Sequence, residues 1–265
     1  MRAFLALLAA FQAAGLMPAR VTIPGPHGVT LNALLLRPAG PVKPPAVIAL
    51  HGCAGPLPAR ETQWARRLVA AGHMVLFPDS FGSRGLGPQC RTTKRTVTES
   101  GLRRQDAIAA ALWLHAQPGV PPGGLALIGW SNGGGTVLYT AEDHSPPPPG
   151  LFSRFVAFYP GCRTVSRNGW APSGPLLILV GANDDWTPAG PCQLLAKKYP
   201  NLITLVVYPN AWHDFDRPGV PVRKLTGLAT PPSGTGEAHE GTNDAARRDA
   251  LQRVPAFIAG QRLAP

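Results

Sequence analysis

Short apolar runs recur along the chain, each stopped by Gly, Pro, Asp or Asn. They are LNALLL (31–36), AVIALHG (46–52), HMVLFPD (73–79), LALIGW (125–130), FVAFYPG (155–161), LLILVGAND (176–184) and LITLVVYPN (202–210). Several do not alternate apolar with polar, so both faces of each strand must be covered. Helical patterns lie between them. ETQWARRLVAAG (61–72) ends on glycine, as a helix C-terminus favours, and RRQDAIAAALWLHAQ (103–117) places Ile108, Ala111, Leu112 and His115 on one face. NDAARRDALQRVPAFIAG (243–260) is a third helix, expected to kink or break near Val254 because of Pro255. Strands alternating with helices require a mostly parallel central sheet, flanked by helices on both faces, with right-handed crossovers. In such sheets functional groups gather at the carboxyl ends of the strands.

The 265 residues suffice for one large α/β domain, expected over 20–265, and the proline-rich stretches 38–45, 145–150 and 230–236 read as surface loops. A net charge of +11 invites a nucleic-acid partner, yet the arginines are scattered. The densest cluster (Arg84, Arg91, Lys94, Arg95, Arg103, Arg104) accompanies no nucleic-acid module, so the reading is a solvated basic surface. The first 19 residues, MRAFLALLAAFQAAGLMPA, carry one positive charge, an apolar run and then small residues, as a secretory leader does. That run is too short to span a bilayer. The expected location is the periplasm or the exterior, with an N-terminal helix of a cytoplasmic protein as the alternative. Cys53, Cys90, Cys162 and Cys192 have no zinc-ligand spacing. Each falls just past a strand candidate or at the end of the loop that follows one, which suggests the pairs Cys53–Cys90 and Cys162–Cys192 in an exported chain.

GWSNGGG (129–135) sets a serine between a strand candidate and a helix candidate, in a G-x-S-x-G sequence. Three glycines opening a helix are costly by propensity alone. They make sense where a serine is held on a cramped strand-to-helix turn and neighbouring side chains would collide. A nucleophilic Ser131 needs a base and an orienting acid, which follow it in the chain in the order acid, then histidine. His144 lies beside a proline loop and before any suitable acid, and His239 lies in a Gly- and Thr-rich loop. His213, in NAWHDFD after LITLVVYPN, has the right place and order. LLILVGANDDWTP offers Asp184 and Asp185 as the acid. The backbone N–H of Asn132, after the nucleophile, and that of Cys53, in the tight HGCAG loop, are the expected oxyanion donors. His51 reads as structural.

Together these residues resemble the dienelactone hydrolase family of α/β-hydrolases. HG at 51–52, PDSFG at 78–82, G-x-S-x-G at 129–133, G-x-x-D-x-x-x-P from Gly181 to Pro188 and His213-Asp214-Phe215 occur in family order, from about Val29 to Asp216. The resemblance selects Asp184 over Asp185 and implies the α/β-hydrolase fold. The chain departs from the founding enzymes in carrying Ser131 where they have cysteine. It also shows no glutamate near the HG loop.

The expected protein is thus a serine hydrolase of carboxylic esters, small or polymeric, acting through Ser131, Asp184 and His213 without cofactor or metal. Trp130, Trp186 and Trp212 flank the three positions and are candidates to line a pocket for aromatic esters or polyesters. Lactone hydrolysis of the dienelactone kind, or a non-catalytic binding role on the same fold, are the alternatives. No stable membrane insertion is expected, and the sequence leaves the oligomeric state open.

Overall fold

The computed structural model describes residues 2–229 and 231–261; Met1, Thr230 and the end of the expected 20–265 domain, 262–265, lie outside the described residues. In chain order the elements are α1 (Arg2–Ala13), β1 (Ala19–Pro24), β2 (Thr30–Leu36), β3 (Val47–Leu50), α2 (Pro58–Ala70), β4 (Val75–Pro78), α3 (Leu102–His115) and β5 (Leu125–Trp130). They continue with α4 (Asn132–Thr140), β6 (Phe152–Phe158), β7 (Leu176–Gly181), α5 (Ala189–Lys198), β8 (Ile203–Tyr208), β9 (Arg223–Leu225), β10 (Ala238–Glu240) and α6 (Asp244–Ile258).

Eight strands form one sheet in the order β1-β2-β4-β3-β5-β6-β7-β8. The β1–β2 and β2–β4 pairs are antiparallel, and every neighbour from β4 to β8 is parallel. The parallel strands β3, β4, β5 and β7 are buried along their whole length, because helices cover both faces. On one face Ala126, Ile128 and Trp130 of β5 pack with Phe4 and Phe11 of α1, Trp64 and Leu68 of α2, and Val254 of α6. On the other, Leu125 and Leu127 pack with Ala110 of α3, Val137 of α4 and Leu195 of α5. The side-chain period of two therefore splits one apolar run between two cores, and each large aliphatic side chain buried there contributes about 1.5–3 kcal/mol.

Three features were not given by the sequence reading. β1 reads weakly because only its Ile23 is buried, as suits an edge strand. β9 and β10 form a separate antiparallel hairpin too short to show a period. The third helix does not break at Val254: α6 continues through Pro255. Proline removes the bond to the carbonyl four residues back, which is that of Leu251. That oxygen instead accepts a bond from Arg67 Nε of α2 at 2.6 Å, so the helix runs on without an orphaned carbonyl.

The apolar N-terminal run forms α1, with Phe4, Leu7, Leu8 and Phe11 buried. Phe11 meets Phe77 edge-on at 5.3 Å, and Arg66 of α2 donates to the Ala14 carbonyl. Among the described residues no helix is long and apolar enough to cross a membrane.

Candidate functional site

Ser131 ends β5 and opens α4 with φ at 52°, a left-handed conformation that a non-glycine residue rarely adopts. Its N–H is held by the Phe158 carbonyl at 2.9 Å. A β-carbon on Gly129 would fall on the Gly133 backbone, and one on Gly133 would fall on the Leu50 carbonyl. Those two glycines let the turn close against itself and against β3, which leaves Ser131 half-buried and accessible.

His213 follows β8, buried to 1%, and its Nε2 lies 2.9 Å from Ser131 Oγ. Its Nδ1 lies 2.8 Å from Asp184 Oδ2, on the loop after β7. Asp184 is 3% exposed, and its Oδ1 accepts the backbone N–H groups of Trp186 and Thr187 at 3.0 and 2.8 Å. Thr187 Oγ1 sits 3.0 Å from Asp184 Oδ2 and 3.1 Å from His213 Nδ1. Burial disfavours a charged His213, but the charges of Asp184, Asp214 and Glu240 outweigh it and hold its pKa above the ordinary histidine value. Asp185 turns outward and pairs with His239, Nδ1 to Oδ2 at 2.7 Å. The two aspartates that the sequence leaves adjacent thus face different histidines.

The HG loop lies against the nucleophile turn: a β-carbon on Gly52 would stand 3.3 Å from the Trp130 carbonyl and 3.6 Å from Ser131 Cβ. Cys53 and Asn132 line the same cavity as Ser131. His51 is buried below the loop, with Nδ1 2.8 Å from the Gly52 carbonyl and its ring edge-on to Phe81 at 4.9 Å. Burial, then the charge of Arg103, lowers its pKa well below the ordinary value, so it stays neutral.

The tryptophans separate. Trp186 leans on His213 at 4.7 Å and lines both cavities described below. Trp212 packs on His239, away from Ser131. Trp130 is not a pocket residue. As the last inward residue of β5 it points into the core, stacked on Phe158 and bonded to Asp216. Period-two alternation puts it on the face opposite the opening, behind the serine rather than in front of it.

Two cavities meet at Ser131 and share Cys53 and Trp186 as walls. One, about 290 Å³, is bounded by Arg95, Glu99, Cys162, Arg163 and Pro188. The other, about 340 Å³, is bounded by His213, Leu57, Pro88, Cys90, Leu225 and Leu228, the last two from the β9–β10 hairpin and its connection. Glu99 escapes sequence reading, since nothing in TVTES marks it. It reaches the site from the loop before α3, where burial raises its pKa against the charges of Arg103 and Arg95. The cysteines are bonded Cys53–Cys90 and Cys162–Cys192, the pairs their positions suggest, and both bonds border the first or second cavity. Among the described residues no group of three or more His, Cys, Asp or Glu could hold a metal ion.

The dienelactone hydrolase family model matches residues 31–261, which span the sheet from β2 onward, the nucleophile turn and the loops of Asp184 and His213. The chain belongs to the dienelactone hydrolase family. Solved structures agree on the fold. A Klebsiella pneumoniae subsp. pneumoniae MGH 78578 protein assigned as a dienelactone hydrolase is 21% identical with a TM-score of 0.68, covering 92% of this chain and 98% of its own. A hyperthermophilic esterase from Pyrobaculum calidifontis is 18% identical with a TM-score of 0.65, over 98% and 91% of the two chains. An α/β serine hydrolase without lid from Xanthomonas campestris is 22% identical with a TM-score of 0.54, over 74% and 85%. At these identities the likeness shows the α/β-hydrolase fold alone. No curated protein matches the chain at a significant level. As a dienelactone hydrolase family member, the chain is a hydrolase, and two disulfides fit an oxidising compartment.

Proposed function

We propose that this hydrolase cleaves carboxylic esters with Ser131 as nucleophile. The observation that carries the reading is the continuous line from Ser131 Oγ to His213 Nε2 at 2.9 Å and from His213 Nδ1 to Asp184 at 2.8 Å. As Oγ attacks the acyl carbon, His213 Nε2 takes its proton, and Asp184 fixes the tautomer and stabilises the imidazolium. The N–H groups of Cys53 and Asn132 hold the oxyanion. The tetrahedral intermediate collapses to an acyl-enzyme as Nε2 gives the proton to the leaving alcohol, and water repeats the sequence. No cofactor takes part.

Because the leaving oxygen must meet His213, the alcohol occupies the cavity that His213 lines and the acyl group the one bordered by Glu99. Trp186, common to both, suits an aromatic group on either side of the ester, which supports aromatic esters and polyesters as substrates. A fluorophosphonate probe should label Ser131, and Ser131→Ala should lose several orders of magnitude in turnover while keeping its circular dichroism. Near-normal turnover by that variant would remove the reading. A panel of acyl, aryl and lactone substrates, a dienelactone included, ranks the substrate classes.

Export is proposed on the two disulfides and the leader-like run, with 20–265 as the mature domain. Removal of that run would uncover the Phe77 ring against which Phe11 packs. Mass spectrometry of the mature N-terminus decides between a cleaved leader and a retained α1.

A further inference from the structure

Arg103 is buried to 1% in the first turn of α3. That is an unfavourable place for a cation, since the N-terminal end of a helix carries partial positive charge. Desolvation pushes its pKa down to about 10 against the opposing charges of Glu99, Asp106 and Asp79. Surface solubility does not account for a buried arginine at this end of a helix, so its contacts must. Nη2 donates to the His51 carbonyl at 2.7 Å, and Nη1 donates to the side-chain oxygen of Asn132. The guanidinium rests on the Phe81 ring, 4.9 Å from its centre. At the far end of the Asn132 amide, Nδ2 donates to Glu99 Oε1 at 2.5 Å.

These acceptors belong to the two limbs that meet at the nucleophile. His51 stands two residues before Cys53, at the end of β3, and Asn132 follows Ser131 on the turn after β5. A guanidinium is a planar fork whose donors keep a fixed spacing. With one arm on each limb, it sets the separation of the Cys53 and Asn132 N–H groups. We infer that Arg103 is a positioning residue for the oxyanion hole, bridging the β3 limb to the nucleophile turn, with Glu99 fixing the orientation of the Asn132 amide. The inference rests on the serine-esterase reading, because it assumes that those two N–H groups hold the oxyanion.

An oxyanion exists only after Oγ has attacked, so loosening its donors affects the transition state more than the bound ester. Arg103→Met should lower kcat roughly 10- to 100-fold, less than the 10²–10³ for outright loss of a donor, with little change in KM. Arg103→Lys keeps the charge without the fork and should fall between wild type and Arg103→Met. The discriminating probe is an aryl trifluoromethyl ketone, which forms a tetrahedral hemiketal on Ser131. Across the variants its Ki should rise in proportion to the loss in kcat/KM. In the ¹³C-labelled adduct, the pH at which the hemiketal oxygen ionises should also rise. Fluorophosphonate titration of active sites corrects for any misfolded fraction. If Arg103→Met does not fold, Asn132→Ala, which removes one acceptor, should show the same kcat-specific loss and the same ketone response.

Folded variants with wild-type kcat and ketone affinity would overturn the Arg103 role while Ser131 labelling left the esterase reading intact. A loss wholly accounted for by fewer titratable sites, with wild-type kcat per site, would likewise reduce Arg103 to a stabilising residue. Wild-type protein that is not labelled at Ser131, or an active Ser131→Ala variant, would overturn the underlying reading and this inference with it.

Discussion

Trp130 Nε1 donates to Asp216 Oδ2 at 2.9 Å, joining the residue before the candidate nucleophile to the loop that carries the candidate base. Asp216 also accepts from Trp64 Nε1 at 2.6 Å and from Tyr159 OH at 2.7 Å. One carboxylate thus gathers α2, the end of β5, the end of β6 and the His213 loop. Burial raises its pKa, opposed by the charge of Arg60 and by the Tyr159 and Trp64 bonds.

Asp216→Ala should therefore be strongly destabilising. It strands three buried donors at roughly 1–3 kcal/mol each, so a loss of at least about 3 kcal/mol is expected in urea unfolding. Asp216→Asn keeps one acceptor oxygen but turns an amide N–H₂ toward N–H donors, and should fall between. A loss under about 1 kcal/mol in Asp216→Ala would show that water takes the place of the carboxylate.

Asp184→Asn should lower kcat roughly 10³- to 10⁴-fold. Its oxygen can keep the Trp186 and Thr187 N–H bonds, but its amide then faces His213 Nδ1 and selects the wrong tautomer. Asp185→Asn breaks only the partly exposed pair with His239, where about 0–1 kcal/mol is at stake, and should leave kcat within a few-fold. Steady-state kinetics on both variants tests the assignment, and the reverse ranking would move the acid to Asp185.

The pH profile follows from His213. A general base works when neutral, so kcat/KM should rise with pH along a limb centred above the ordinary histidine value of about 6.5. The same shift acts oppositely on stability. With the folded pKa raised, the stabilisation is complete below about 6.5 and is lost as pH climbs through the folded value. Activity should therefore increase while part of the unfolding free energy declines across one interval. Removing the Asp184 charge should move the kinetic limb to lower pH.

The two disulfides should separate by function. Each closes a loop, with sequence separations of 37 and 30 residues, and should stabilise by about 2–4 kcal/mol. Cys53–Cys90 also tethers the loop carrying a proposed oxyanion N–H. The double variant Cys53→Ala/Cys90→Ala should lose turnover under conditions where it remains folded. Cys162→Ala/Cys192→Ala should lose stability with a smaller effect on kcat. Thermal unfolding and kinetics on the pair of double variants read this directly.

The parallel sheet was legible because β3, β4, β5 and β7 are buried on both faces and so carry unbroken apolar runs. β1 was not, because an edge strand with one buried side chain leaves little pattern. That Pro255 does not end α6 was not legible, because the group that takes up the freed carbonyl, Arg67, comes from another helix 188 positions away by residue number, too far for any local rule. Ser131 and His213 could be picked out by turn chemistry and chain order. Asp184 and Asp185 are equivalent on that basis; the family resemblance from Gly181 to Pro188 selects Asp184, and in the structure the two side chains face different histidines. Glu99, Arg103 and Asp216 sit in stretches without a motif and Thr187 fills an unspecified position of one, because supporting contacts depend on which loops the sheet brings together. Trp130 was misplaced for want of a simpler step, carrying the alternation of β5 through to its last residue.

The β9–β10 hairpin meets the rest of the site through the bridge between His213 and Glu240 and the His239–Asp185 pair, and with its connection it supplies Leu225 and Leu228 to the larger cavity. On the proposed ester-hydrolase reading, reactivity and part of the choice of substrate reside on different stretches of polypeptide. Substitutions at Leu225 and Leu228 would redraw the proposed alcohol-side wall while leaving the side chains of Ser131, His213 and Asp184 unchanged. A lineage, or a protein engineer, can explore new esters there one loop substitution at a time, with the machinery that breaks the bond left as it is.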